Sequence, residues 1–175
     1  MINDKSGNKT VSGSGKPVAC VTYNDDWIKA LQAMGEWYEH NIHTYQGGST
    51  GKASGSRRMY DCPLVHRKVG DDCSGYVCAC LWNHGVNVPL TGSGGFVNPS
   101  KDFEKIMNTH GFKKYNYGDY TLMPGDIMCK NGHVEIFWTD KKSYGWGNIH
   151  DGVGKHAGMP CWQAKLKYTI VWRKK

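Results

Sequence analysis

The chain has 175 residues, 39% of them hydrophobic and 12% aromatic, which is enough for one domain with a real core and unlike a disordered composition. Lys and Arg number 22 against 15 Asp and Glu, a net charge of +7 that is scattered apart from Arg57-Arg58, Lys113-Lys114 and Arg173-Lys174-Lys175. That pattern reads as a solvated basic surface with an attraction to polyanions such as anionic wall polymers. No nucleic-acid motif accompanies the charge and no apolar run reaches the roughly 18–20 residues of a membrane span, so neither nucleic acid nor a bilayer is an expected partner.

Residues 1–17 are rich in Ser, Gly, Lys and Asn and end at Pro17; they read as a flexible tail or linker stump, with 18–175 as one folded domain. Met1-Ile2-Asn3-Asp4-Lys5-Ser6-Gly7 lacks the hydrophobic core of a secretory signal. The expectation is a monomer made in the cytoplasm that reaches its target by lysis, virion delivery or export without a signal.

From Asn24 to Tyr45 the period is helical, with Trp27, Ile28, Leu31, Met34, Tyr38, Ile42 and Tyr45 on one stripe. Gly47–Gly55 is a polar loop containing Gly51-Lys52. It is not a phosphate loop, because Gln46 stands where the first Gly should be and Ala53 follows Lys52 in place of Ser or Thr.

Asp71-Asp72-Cys73-Ser74-Gly75-Tyr76-Val77 reads as a helix start, capped by Asp71 or Asp72, with a thiol in its first turn. Free N–H groups and the helix dipole favour negative charge there, and the thiolate is the form of Cys that attacks carbonyls. The helix stays apolar through Val77, Cys78, Ala79, Cys80, Leu81 and Trp82 and stops near His84-Gly85, so it belongs at the centre of the domain. A third helix is expected from Asn98-Pro99 to His110-Gly111, carrying Phe103, Ile106 and Met107 inward.

Beyond the Met123-Pro124-Gly125-Asp126 turn the period becomes alternating. Strands are predicted over 127–129, 133–138, 143–150 and 166–172, which makes the fold α+β with helices first and an antiparallel sheet second. His133 opens the second strand and supplies a base for Cys73. A thiol–imidazole pair needs a third group to fix the ring. If 133–138 and 143–150 form a hairpin turning at Asp140-Lys141, Phe137 opposes Tyr144, Glu135 opposes Trp146 and His133 opposes Asn148. His150 shares the parity of Asn148 and is the alternative, with the turn moved to Lys141-Lys142. Glu135 shares the face of His133, where it either tunes the ring or closes a sheet-end ion pair.

Seven cysteines, Cys20, Cys62, Cys73, Cys78, Cys80, Cys129 and Cys161, form an odd, irregular set that reads as mostly reduced and buried. Cys78-Ala79-Cys80 lacks the gap of a zinc knuckle, and His40, His43, His66, His84, His110 and His156 show no ligand spacing; neither metal nor cofactor is expected.

These residues carry a resemblance. Asp72-Cys73-Ser74-Gly75-Tyr76-Val77 resembles the nucleophile motif of the NlpC/P60 superfamily of papain-like cysteine peptidases. Tyr45-Gln46-Gly47-Gly48 is similar to its Tyr-x-Gly-Gly element, Pro124-Gly125-Asp126-Ile127 to its Pro-Gly-Asp motif, and Gly132-His133-Val134 to its histidine motif, all in the family's order over roughly residues 20–175. Tyr144-Gly145-Trp146-Gly147-Asn148 resembles strands of that family and of the related CHAP amidases. The resemblance implies a papain-like α+β fold and hydrolysis of a peptidoglycan amide, in a stem peptide or at N-acetylmuramoyl-L-Ala, as in phage lysins and tail-associated lysins. It implies Cys73 as nucleophile, His133 as base and a third residue on the strand of Asn148 and His150. It also implies that Tyr45 and Asp72 hold the amine of a stem-peptide L-Ala, and Ser74 and Trp146 complete the expected substrate-binding set. Ser54–Val69 is an insertion relative to the family spacing. The alternatives are a secreted antibacterial effector amidase, a cysteine acyltransferase, or a catalytically silent wall-binding domain.

Overall fold

The computed structural model describes residues 25–42, 58–139, 142–146, 159–160 and 167–175. The expected N-terminal tail, the Gly47–Gly55 loop, Tyr45, Asn148, His150, Cys20 and Cys161 lie outside them.

The first described element is α1 (Asp25–Asn41), with Asp25 and Asp26 in its first turn, where the helix dipole favours acids. Its stripe of Trp27, Leu31, Met34 and Tyr38 is buried. A hairpin follows, β1 (Met59–Cys62) and β2 (Arg67–Gly70), antiparallel with Tyr60 opposite Val69. Thus much of the stretch Ser54–Val69, expected as an insertion, is a hairpin that leads directly into the next helix, α2 (Cys73–Asn83). Every α2 residue from Cys73 to Trp82 is buried, as its uninterrupted apolar sequence requires. Gly85, at φ +82°, follows its end.

The helix expected from Asn98-Pro99 is two helices. A short one, α3 (Ser93–Val97), precedes α4 (Lys101–Thr109). The cap of α4 is Ser100, whose hydroxyl accepts from Phe103 N at 3.2 Å, so Asn98 and Pro99 sit in the link between the helices. A Ser cap with acids at Asp102 and Glu104 outcompetes the Asn-Pro signal.

The remaining strands are β3 (Phe112–Asn116), β4 (Ile127–Lys130), β5 (His133–Thr139), β6 (Lys142–Tyr144), β7 (Met159–Pro160) and β8 (Ile170–Lys174). They form one six-stranded sheet in the order β3-β8-β4-β5-β6-β7, every neighbour antiparallel. The α+β expectation therefore holds as a class, while the β1–β2 hairpin comes between α1 and α2 ahead of the main antiparallel sheet.

Two contacts lock helices to the sheet and its entry turn, and a third ties that turn to β8. Trp27 Nε1 donates to Gly125 O at 2.9 Å, and Gly125 takes φ +92°, which a side chain rarely adopts. Trp172 Nε1 donates to Phe96 O at 2.9 Å. Asp126, buried beside that turn, receives Arg173 through Nε at 2.8 Å and an η-nitrogen at 2.6 Å, a two-point clamp from β8. Pro124-Gly125-Asp126 is thus a structural corner that fixes where β4, and then β5, begin. Among the described residues no helix is long and apolar enough to cross a membrane.

Candidate active site

The site is built where the first turn of α2 meets the first residue of β5. Asp72 is the N-cap of α2: its Oδ1 accepts from Gly75 N at 2.6 Å and from Ser74 Oγ at 2.9 Å. Asp72 and Ser74 are both buried, and these bonds tie them into the helix start that presents Cys73 as the first helical residue. The cap sits close against β2. A Cβ on Gly75 would stand 2.7 Å from Gly70 O, so only glycine lets the helix begin there. Tyr38 Oη donates to the same Gly70 carbonyl at 2.8 Å, pinning α1 to that corner.

His133 comes from the other side. Asn131-Gly132 joins β4 to β5, with Gly132 at φ +91° and Lys130 opposite His133. Ser93 Oγ on α3 accepts from Gly132 N at 3.0 Å and steadies that corner. The Cys73 thiol is close enough to the imidazole to raise its pKa. The ring is largely enclosed, its side chain 16% exposed, and Cys73 is also nearly buried.

The third group at the ring is Glu135. Its Oε2 lies 3.4 Å from His133 Nε2, close enough for an ion pair and long for a hydrogen bond, and among the described residues no other polar atom serves that nitrogen. The carboxylate is itself held: Ser143 Oγ donates to Oε2 at 2.8 Å and the Tyr168 hydroxyl donates to Oε1. Burial, the largest single influence on the imidazole, pushes its pKa down. The contacts with Cys73 and Glu135 together overcome burial and raise it to about 9. Burial likewise works against ionisation of Glu135, and the His133 contact, with Tyr168 and Ser143, reverses it and leaves the carboxyl below its usual range.

No family model, curated protein or solved structure matches this chain.

The hairpin register departs from the sequence expectation. Thr139 pairs with Lys142 around Asp140-Lys141 as expected, but a bulge between Phe137 and Thr139 slips the strand by one. Phe137 faces Ser143, not Tyr144, and Ile136 faces Tyr144. The slip exchanges the faces of β6, so Ser143 shares the face of His133 and Glu135, and Glu135 has Gly145 beside it rather than Trp146. The parity that favoured Asn148 and His150 does not hold over the described part of this hairpin, and both residues lie outside it. Trp146 is 1% exposed and packs edge-on to Tyr38 at 5.3 Å, a core position. Ser143 and Tyr168, which sequence reasoning passed over, meet Glu135 only through the bulge and the β8 pairing, and neither leaves a short-range signal.

Cys62, Cys73, Cys78, Cys80 and Cys129 are all reduced and buried, as their irregular spacing suggested. Burial raises the pKa of Cys62, Cys80 and Cys129. Among the described residues no three His, Cys, Asp or Glu side chains converge as a metal would require.

Proposed function

We propose that this chain is a thiol hydrolase of the NlpC/P60 type, with a papain-like arrangement, that cleaves an amide of bacterial peptidoglycan. The observation that carries this reading is the contact between Cys73, first residue of the central helix, and His133, first residue of a core strand. An imidazole whose pKa stands near 9 is protonated at neutral pH, so its partner sulfur has a cation beside it and a helix N-terminus behind it.

The chemistry follows from that pairing. The Cys73 thiolate attacks the amide carbonyl carbon, and the backbone N–H of Cys73, at the helix start, is the donor assigned to the resulting oxyanion. As the C–N bond breaks, His133 passes a proton to the leaving amine and an acyl-thioester remains. Water attacks that thioester, His133 takes a proton from it, and the carboxylic acid leaves as the thiolate re-forms. The four family-like motifs and the basic charge support a cell-wall polymer as target.

Digestion of purified sacculi, followed by mass spectrometry of the soluble fragments, tests the proposal. The wild-type chain is expected to release peptides or amine-terminated stems, and Cys73→Ala to release none while keeping its thermal transition. Lysis retained by Cys73→Ala would contradict it.

A further inference from the structure

We propose that Glu135 is the positioning residue of the Cys73–His133 pair, and that Ser143 and Tyr168 hold its carboxylate in place for that purpose. The proposal rests on the thiol-hydrolase reading above and deepens it by giving a residue on the base's own strand a part in holding the imidazole.

The geometry is economical. Residues two apart on a strand share a face, so His133 fixes the side on which Glu135 must lie. Glu135 Oε2 then faces His133 Nε2 at 3.4 Å, and among the described residues that buried nitrogen has no other partner. With Nε2 turned to the carboxylate, Nδ1 is the nitrogen left for the sulfur. A proton held on Nε2 by Glu135 means that the one delivered to a leaving amine departs from Nδ1.

A buried carboxylate keeps its charge only when its oxygens are satisfied. Both are: Ser143 reaches Oε2 from β6 and Tyr168 reaches Oε1 from the segment leading into β8. Gly145 leaves space for the group, since a Cβ there would lie 3.1 Å from Glu135 Cβ. A mere sheet-tying ion pair would not need an acceptor fixed from two separate elements and turned to the catalytic imidazole. Among the described residues, the titratable groups acting on the ring are Cys73 on α2 and Glu135, which Tyr168 holds; Lys130 is the cross-strand partner of His133 on β4, and Asp72 caps the helix that carries Cys73.

The test is the titration of the His133 imidazole in the full chain, followed by NMR and assigned with His133→Gln. The wild-type midpoint is expected near 9. In Glu135→Gln, which keeps the shape and removes the charge, it is expected to fall by about one pH unit or more. An unchanged midpoint in a folded Glu135→Gln would overturn the proposal. Should that variant fail to fold, Cys73→Ala decides, because Glu135 is then the remaining acid at the ring. A midpoint still above the ordinary value of about 6.5 supports the assignment, and one at or below it overturns it. On sacculi, Glu135→Gln is expected to lose kcat by about 100-fold with KM little changed. A loss carried by KM alone would contradict a positioning role. The titration needs no substrate, so a wild-type chain inert on sacculi would sink the hydrolase reading and leave this test standing.

Discussion

His133 is pulled in two directions, and the balance makes a stability signature. Burial opposes its charge, while Cys73 and Glu135 favour it and win, raising its pKa from 6.5 to about 9. A folded-state pKa above the unfolded one stabilises the fold fully below the unfolded pKa, and that contribution is lost as pH rises through the folded pKa. In Cys73→Ala, where Glu135 alone holds charge on the ring, that contribution is present below about pH 6.5 and lost as pH rises through the folded value. Urea midpoints of Cys73→Ala should therefore fall as pH rises above about 6.5, and adding His133→Gln should flatten the fall. The buried thiols Cys62, Cys80 and Cys129 also destabilise at alkaline pH, but only above the unfolded thiol range of about 8.5–9, so the window below it belongs to His133. A Cys73→Ala curve parallel to that of the double variant would contradict the Glu135–His133 ion-pair picture. At this scale the sequence was legible for residues that announce themselves locally. Cys73 follows a cap and His133 opens an alternating run. Glu135 was half legible, since period two placed it on the right face but could not tell an orienting group from an incidental salt bridge. Ser143 and Tyr168 were not legible, because each arrives from a distant part of the chain.

At the scale of the element, the start of α2 depends on a single missing side chain. The ideal Cβ of an Ala at position 75 would lie 2.7 Å from Gly70 O and 2.9 Å from Gly70 Cα, both backbone atoms that cannot swing aside. Gly75→Ala should cost about 2 kcal/mol in urea unfolding and, by pushing the first turn off β2, lower sacculus hydrolysis more than stability. Full activity in that variant would show that the register of α2 on β2 does not set the thiol's position. The helices α1 and α2 were legible because long apolar periodicity overrides local noise. The four-residue hairpin strands β1 and β2 were not, since Met59–Cys62 and Arg67–Gly70 have no clean alternation. Nor was β3, whose sequence Phe112–Asn116 is mostly exposed and basic. The bulge in the β5–β6 hairpin defeated the register argument for the same reason: a one-residue slip has no signature in a run of aromatic and polar residues.

Across the whole molecule, what matters is that the N-terminus of α2 and the start of β5 arrive at one place. No local pattern encodes that meeting. It depends on Trp27 against Gly125, on the Asp126–Arg173 clamp that sets β4 beside β8, and on the Gly70 corner beneath the helix cap. The central claim, a sulfur activated by an imidazole across that junction, is tested most directly by site-resolved alkylation of the full chain with iodoacetamide at about pH 6, where an ordinary thiol is almost wholly protonated. The account predicts that Cys73 is modified well ahead of Cys62, Cys80 and Cys129, and that His133→Ala abolishes the lead. A Cys73 no faster than Cys129, or one indifferent to His133→Ala, would contradict it.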